Sequence, residues 1–198
     1  MSGFFVNLKA WKLREAVLVG IVSVVFGVIY LAAVYLNIFF STLISPFGLA
    51  PLSKEIVYGI WFMAATFIAY FVRKPGAATV TEVLAALLEV LMGSMYGPLV
   101  LVSGIVQGLG AEVVFMATSY RNYSLRVMAV AGMGAALASF FIDFFISGLG
   151  LLSVGFLAVM LPIRLLSSAF FAGYVCWALA SGLERTGLTK AYGAGGGQ

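Results

Sequence analysis

The sequence predicts an all-α integral membrane protein: a bundle of six transmembrane helices with both termini cytoplasmic. Three observations carry that expectation. Of 198 residues, 63% are hydrophobic and only 9% are charged, whereas a soluble globular domain carries about 25% charged residues. So few charges cannot coat a water-facing surface. The apolar residues also fall into runs of about 20, the length a helix needs to cross the hydrocarbon core of a bilayer. Finally, the cations gather in alternate connections between those runs, which sets an orientation.

The first span, 16–36, is unbroken and follows Lys9, Lys12 and Arg14. It is longer than the apolar core of a cleaved signal peptide, and no cleavage pattern follows it. The second span, 56–72, stops at Arg73 and Lys74. Pro75-Gly76 is a turn signal, so the third span occupies 76–92. The fourth is 99–118 and the fifth 125–146. The last apolar run, 151–183, is too long for one simple span. Pro162 suits the first turn of a helix, so it divides the run into an outer loop or short interfacial helix at 151–161 and a sixth span at 162–183. The whole chain, 1–198, reads as a single transmembrane domain with a flexible glycine-rich tail at 193–198.

Six spans put both termini on one side. That side holds Lys9, Lys12, Arg14, Arg73, Lys74, Arg121, Arg126, Arg185 and Lys190. The other holds Lys54, plus Arg164 if it reaches the surface. The cation-rich side is the cytoplasmic one. The long outer connection 37–55, "NIFFSTLISPFGLAPLSKE", is apolar and contains two prolines. It either folds over the bundle as a lid or lies along the membrane surface.

Several function classes are excluded early. There is no histidine, and Cys176 is the single cysteine. That rules out an internal disulfide and removes His-based hydrolytic and zinc sites. No P-loop pattern is present, so the chain does not hydrolyse ATP in that way. The cations form no stripe that would follow a nucleic acid. An enzyme using paired carboxylates as acid and base has no histidine or cofactor motif to support it. The chain is therefore read as a non-enzyme without cofactor or metal ligands.

The informative residues are the polar ones inside the spans. A charged side chain at mid-membrane costs about 2.5–3.5 kcal/mol on insertion scales, and such residues face a cavity or a partner. A rise of about 1.5 Å per residue gives each a height. Glu89 lies about 22 Å above the cytoplasmic edge, and Gln107 about 12 Å below the outer edge. Trp61, Tyr30, Asp143, Tyr96 and Arg164 fall in the same outer half. Glu82 and Glu89 are seven residues apart, almost two turns, so they share one helix face. The expectation is an outward-opening polar cavity lined by Glu89, Asp143, Trp61, Tyr30, Tyr58 and Tyr96. Aromatic faces attract cations, and carboxylates accept from amines, so this chemistry suits a flat cationic heteroaromatic ligand. Tyr58 and Tyr96 fit an interfacial aromatic belt equally well. Asp143 either joins the cavity or pairs with Arg164. Glu82 and Glu112 form a deeper level, with a structural role or a ligand contact both open. On the first span Ala16, Gly20, Ser23 and Gly27 make a small-residue stripe, which serves either internal packing or the docking of another membrane subunit.

Motifs along nearly the whole chain resemble a known family. They are "WKLREAVL" at 11–18, "FGVIYL" at 26–31, "GIWFMA" at 59–64, "RKPGAA" at 73–78, "EVLAALLEVLMGSMYG" at 82–97 and "VQGLGAEVVF" at 106–115. The chain resembles the YkoE-type substrate-binding (S) components of energy-coupling factor (ECF) transporters. The resemblance implies six helices and an outer-facing site covered by the loop between the first two. It implies capture of thiamine or its hydroxymethylpyrimidine precursor, and delivery through a transmembrane T component driven by two ATPases. It implies a multi-pass protein of the bacterial cell membrane. Glu89, Gln107 and Trp61 lie in matching motifs. The expected roles are Glu89 accepting from the aminopyrimidine, Gln107 bonding a ring nitrogen and Trp61 stacking. Glu82 and Glu112 also sit in motifs. The alternative reading is a self-sufficient proton-coupled carrier with Glu82 or Glu112 as its proton site.

Overall fold

Inside a bilayer every backbone N–H and C=O needs a partner within the protein, and apolar runs meet that need as helices. The computed structural model describes residues 11–187, and among them there are helices and turns but no strand. Lys9, Lys190 and the tail at 193–198 lie outside the described residues. Eight α-helices follow one another: α1 (Leu13–Ile44), α2 (Ala50–Val57), α3 (Met63–Val72), α4 (Ala77–Leu91), α5 (Val100–Ala117), α6 (Leu125–Ile146), α7 (Val154–Ser168) and α8 (Cys176–Arg185). A 3-10 segment, Tyr58–Phe62, joins α2 to α3. A π-helical segment, Ala169–Val175, joins α7 to α8. The elements therefore make six rods. Five are long and apolar enough to cross a membrane. The sixth, α4, has 15 residues and measures about 22 Å.

The second rod, Ala50–Val72, runs through the middle and is the most buried of the spans. Packed around it in an arc are α1, α4, α5, α6 and the α7–α8 rod. Val, Leu, Ile and Phe side chains cover the outside of that arc, as a lipid-facing surface requires. Connections 73–76 and 118–124 lie at the same end as both ends of the described chain. Connections 45–49, 92–99 and 147–153 lie at the opposite end.

The "RKPG" turn shows how local sequence sets this topology. Arg73 closes α3 in the left-handed region, φ 49°. That conformation costs a non-glycine residue. Its Nε donates to the Tyr70 carbonyl at 2.9 Å, and its guanidinium lies over the Tyr70 and Tyr123 rings. Gly76 then opens α4 at φ 82°, where a side chain would be strained.

Two expected boundaries move. The connection 37–55 is mostly helix: α1 continues to Ile44, and only 45–49 turns before α2 begins. Pro46 has no N–H to continue the α-helical ladder, a 3-10 turn spans Ser45–Phe47, and Gly48 ends it at φ 72°; Pro51 sits in the first turn of α2. The sixth rod begins at Val154 rather than at Pro162, so 151–161 is largely part of the span. Ser153 caps it, its hydroxyl accepting from the Phe156 N–H at 3.4 Å. Pro162 is a helix-interior residue, a position membrane helices tolerate.

Candidate functional site

The 3-10 segment of the central rod builds the site. With three residues per turn, side chains at i and i+3 eclipse. Tyr58 and Trp61 consequently point the same way, their ring centroids 5.9 Å apart and edge-on. Where α3 resumes, its first amides have no partner within the helix. The Ala64 N–H donates to the Tyr30 hydroxyl at 3.0 Å, and the Ala65 N–H to Glu82 Oε2 at 2.9 Å. The Tyr30 hydroxyl donates in turn to Glu82 at 2.9 Å. Glu82 thus ends up fully buried, its carboxyl group beside the amide end of α3.

Above Glu82 lies a cavity of about 200 Å³, at the end opposite the described chain ends. Eight of the ten residues expected to bind a ligand line it: Tyr30, Tyr58, Trp61, Glu82, Glu89, Tyr96, Gln107 and Asp143. Glu89 is fully buried. It accepts from Trp61 Nε1 at 3.2 Å and from the Ser94 hydroxyl at 2.7 Å. A carboxylate has about four acceptor positions, so these two bonds leave Glu89 acceptor capacity beside the cavity. Tyr96 stands edge-on to Trp61 at 6.2 Å, and its hydroxyl accepts from Asn37 Nδ2 at 2.7 Å. Burial raises the Tyr96 phenol above its ordinary range, so it stays a neutral ring.

The remaining two candidates lie elsewhere. Arg164 does not line the cavity. It is fully buried and donates from Nε and Nη2 to Glu55 at 2.5 and 2.7 Å. Its Nη1 donates to Asp143 at 2.9 Å and to the Ser139 hydroxyl at 3.1 Å. Its guanidinium lies 3.8 Å from the Tyr58 ring centroid. Asp143 therefore does both things expected of it: it pairs with Arg164 and reaches the cavity wall, where it also accepts from the Tyr58 hydroxyl at 2.7 Å. Glu112 also lies away from the cavity. It accepts from the Gly76 N–H at 2.8 Å and the Thr79 N–H at 3.1 Å, and so caps α4 from the neighbouring α5. Glu82 and Glu112 therefore differ in surroundings: of the two, only Glu82 borders the cavity.

The small-residue stripe divides as well. Ala16 and Gly20 are exposed on α1. Ser23 and Gly27 are buried, and a Cβ at Gly27 would meet Leu88 Cβ at 2.8 Å and the Ala85 carbonyl at 3.2 Å. Those two residues serve the close approach of α1 and α4 rather than an outer face.

Sequence reasoning missed two participants. Glu55 stood at the end of an apparent loop, and only the helical course of α2 carries it inward to Arg164. Lys54, counted as a surface cation, lines the cavity with its ammonium 4.8 Å from the Tyr58 ring centroid and 4.9 Å from that of Tyr96. Four buried carboxylates (Glu55, Glu82, Glu89 and Asp143) thus face two cations, Arg164 and Lys54.

The chain is 46% identical over 188 residues to YkoE of Bacillus subtilis (strain 168), which is named an HMP/thiamine permease protein; the match covers 95% of this chain and 92% of that one. A solved structure, described as a crystal structure of an S-component of ECF transporter, aligns with a TM-score of 0.84 at 46% identity, covering 92% of this chain and 90% of that one. The chain belongs to the YkoE-type S components of ECF transporters. A family model described as the permease component of an ABC-type cobalt transport system also matches residues 14–138, from α1 into α6. As an S component the chain is a transport subunit and not an enzyme. The six-rod bundle described above is the S-component fold.

Proposed function

We propose that this S component captures thiamine or its hydroxymethylpyrimidine precursor from outside a bacterial cell. It lies in the cell membrane with its termini cytoplasmic. It passes its cargo inward with a transmembrane T component and two ATPases. The observation that carries the reading is the cavity: three carboxylates, an amide and four aromatic rings converge on one small space far from the chain ends. The relative named for HMP/thiamine transport supports the same choice of cargo. Glu89 accepts from the exocyclic amine, Gln107 bonds a ring nitrogen, and Trp61 stacks on the ring. The volume supports this assignment, because about 150 Å³ holds a benzene ring and this cavity measures about 200 Å³. A neighbouring recess of about 350 Å³ meets it at Lys54, Tyr96 and Ser147, and the two spaces together give both rings of thiamine room.

The cobalt in the description of the matching family model suits the donors poorly. The chain has no histidine, and among the described residues no three His, Cys, Asp or Glu side chains converge to hold a metal. Exposed Ala16 and Gly20 on α1 are the surface proposed for the T component, a close-approach face of small residues. The reading is tested by mass spectrometry of small molecules released from the purified protein, followed by calorimetry with thiamine and hydroxymethylpyrimidine. Either ligand should bind tightly; folded protein that takes up neither overturns it.

A further inference from the structure

The Lys54 ammonium is the odd group of the site. It sits between two tyrosine faces, 4.8 and 4.9 Å from their centroids. The carboxylates do not hold it: none of the ion pairs within 4 Å among the described residues involves Lys54. Arg164, the other cation, is already engaged by Glu55 and Asp143. An aromatic cage of this kind is a preferred seat for a cation, and here a tethered one fills it. Lys54 also borders both the inner cavity and the outer recess, so its flexible side chain has space to withdraw into.

We propose that Lys54 is the residue that sets the site's selectivity for ligand charge. Its ammonium holds the Tyr58–Tyr96 cage until a ligand cation takes that place, and Lys54 then turns into the outer recess. A cationic ring binds at the cost of expelling Lys54, whereas a neutral ring in the inner cavity leaves it seated. This rests on the vitamin reading above for the identity of the ligands, though not for the existence of the cage.

The test compares the purified full chain with Lys54→Met by calorimetry. Three probes are used: cationic thiamine, neutral hydroxymethylpyrimidine and tetramethylammonium. Emptying the cage should tighten thiamine and tetramethylammonium by about thirtyfold, the size of a desolvated cation–π contact. Hydroxymethylpyrimidine should stay within about twofold of wild type. Lys54→Arg, which keeps a cation over the rings, should behave as wild type. Weaker thiamine binding to folded Lys54→Met would make Lys54 a donor to the ligand and overturn the proposal, and so would unchanged binding of both cations. If Lys54→Met fails to fold, Lys54→Gln is read by the same criteria. Failure of both vitamins to bind wild type would count against the vitamin reading alone, because the tetramethylammonium arm still decides the role of Lys54.

Discussion

Glu89 and Glu112 are the same side chain, buried to nearly the same degree, on adjacent antiparallel helices. Near the chain ends, Glu112 is closed by backbone donors: the amides of Gly76 and Thr79 hold its two oxygens. At the cavity end, Glu89 is held only by side chains, Trp61 and Ser94, and borders open space. Backbone donors belong to a helix terminus that must be capped in any state of the protein. Side-chain donors beside a void can rearrange around a guest. The difference teaches that burial alone does not separate a carboxylate that caps a helix from one that lines a cavity. What differs within this pair is that both Glu112 oxygens accept from main-chain amides at a helix terminus, whereas Glu89 borders open space.

The sharpest way to probe the contrast lies at the cavity end itself, where Arg164 is architecture. Arg164→Leu strands the buried charges of Glu55 and Asp143. Breaking such a cluster costs about 3–5 kcal/mol, so thermal unfolding in detergent should shift far down; an unchanged transition would show that the cluster carries no stability. Next in size, Glu89→Gln removes a charge-assisted acceptor. Ligand affinity should fall by roughly tenfold to a hundredfold in calorimetry with the unfolding transition almost unmoved. Glu112→Ala should do the reverse: binding stays within about twofold, while stability drops by roughly 1 kcal/mol for the lost cap. If Glu89→Gln and Glu112→Ala weaken binding equally, the comparison fails. The smallest effect on binding belongs to Gly20→Leu, which should leave ligand affinity of the isolated chain unchanged. Its consequence should appear only as weaker co-purification with a T component.

Much of this was legible in the sequence, for identifiable reasons. Apolar runs and loop cations gave the rods because lipid leaves few alternatives to helix. Heights along those rods placed Glu89, Gln107 and Trp61 together, since helical rise converts residue number to depth. Sequence could not resolve events that depend on neighbours. Ser153 outweighs Pro162 as the start of the last rod because capping acts at the helix terminus, whereas packing decides whether a helix bends around a proline. Glu112 and Glu82 occupy similar heights, yet rotation about α5 turns one toward the α4 terminus while α4 turns the other toward the cavity. Lys54 and Glu55 looked like solvated charges, and only the helical course of α2 takes them inside.

One seam has a consequence for how the helices can part. Gly59 lies so close to Ser167 that a Cβ there would run into its main chain. The Ser167 hydroxyl stitches the two rods together, accepting from the Gly59 N–H at 3.0 Å and donating to the Ile56 carbonyl at 2.8 Å. On the opposite flank, α1 is joined to the 92–99 connection through Asn37 and Tyr96, side chain to side chain. One flank is a welded wall and the other a latched door. Parting the first flank would break main-chain contact between helices, whereas parting the second needs only side chains to turn.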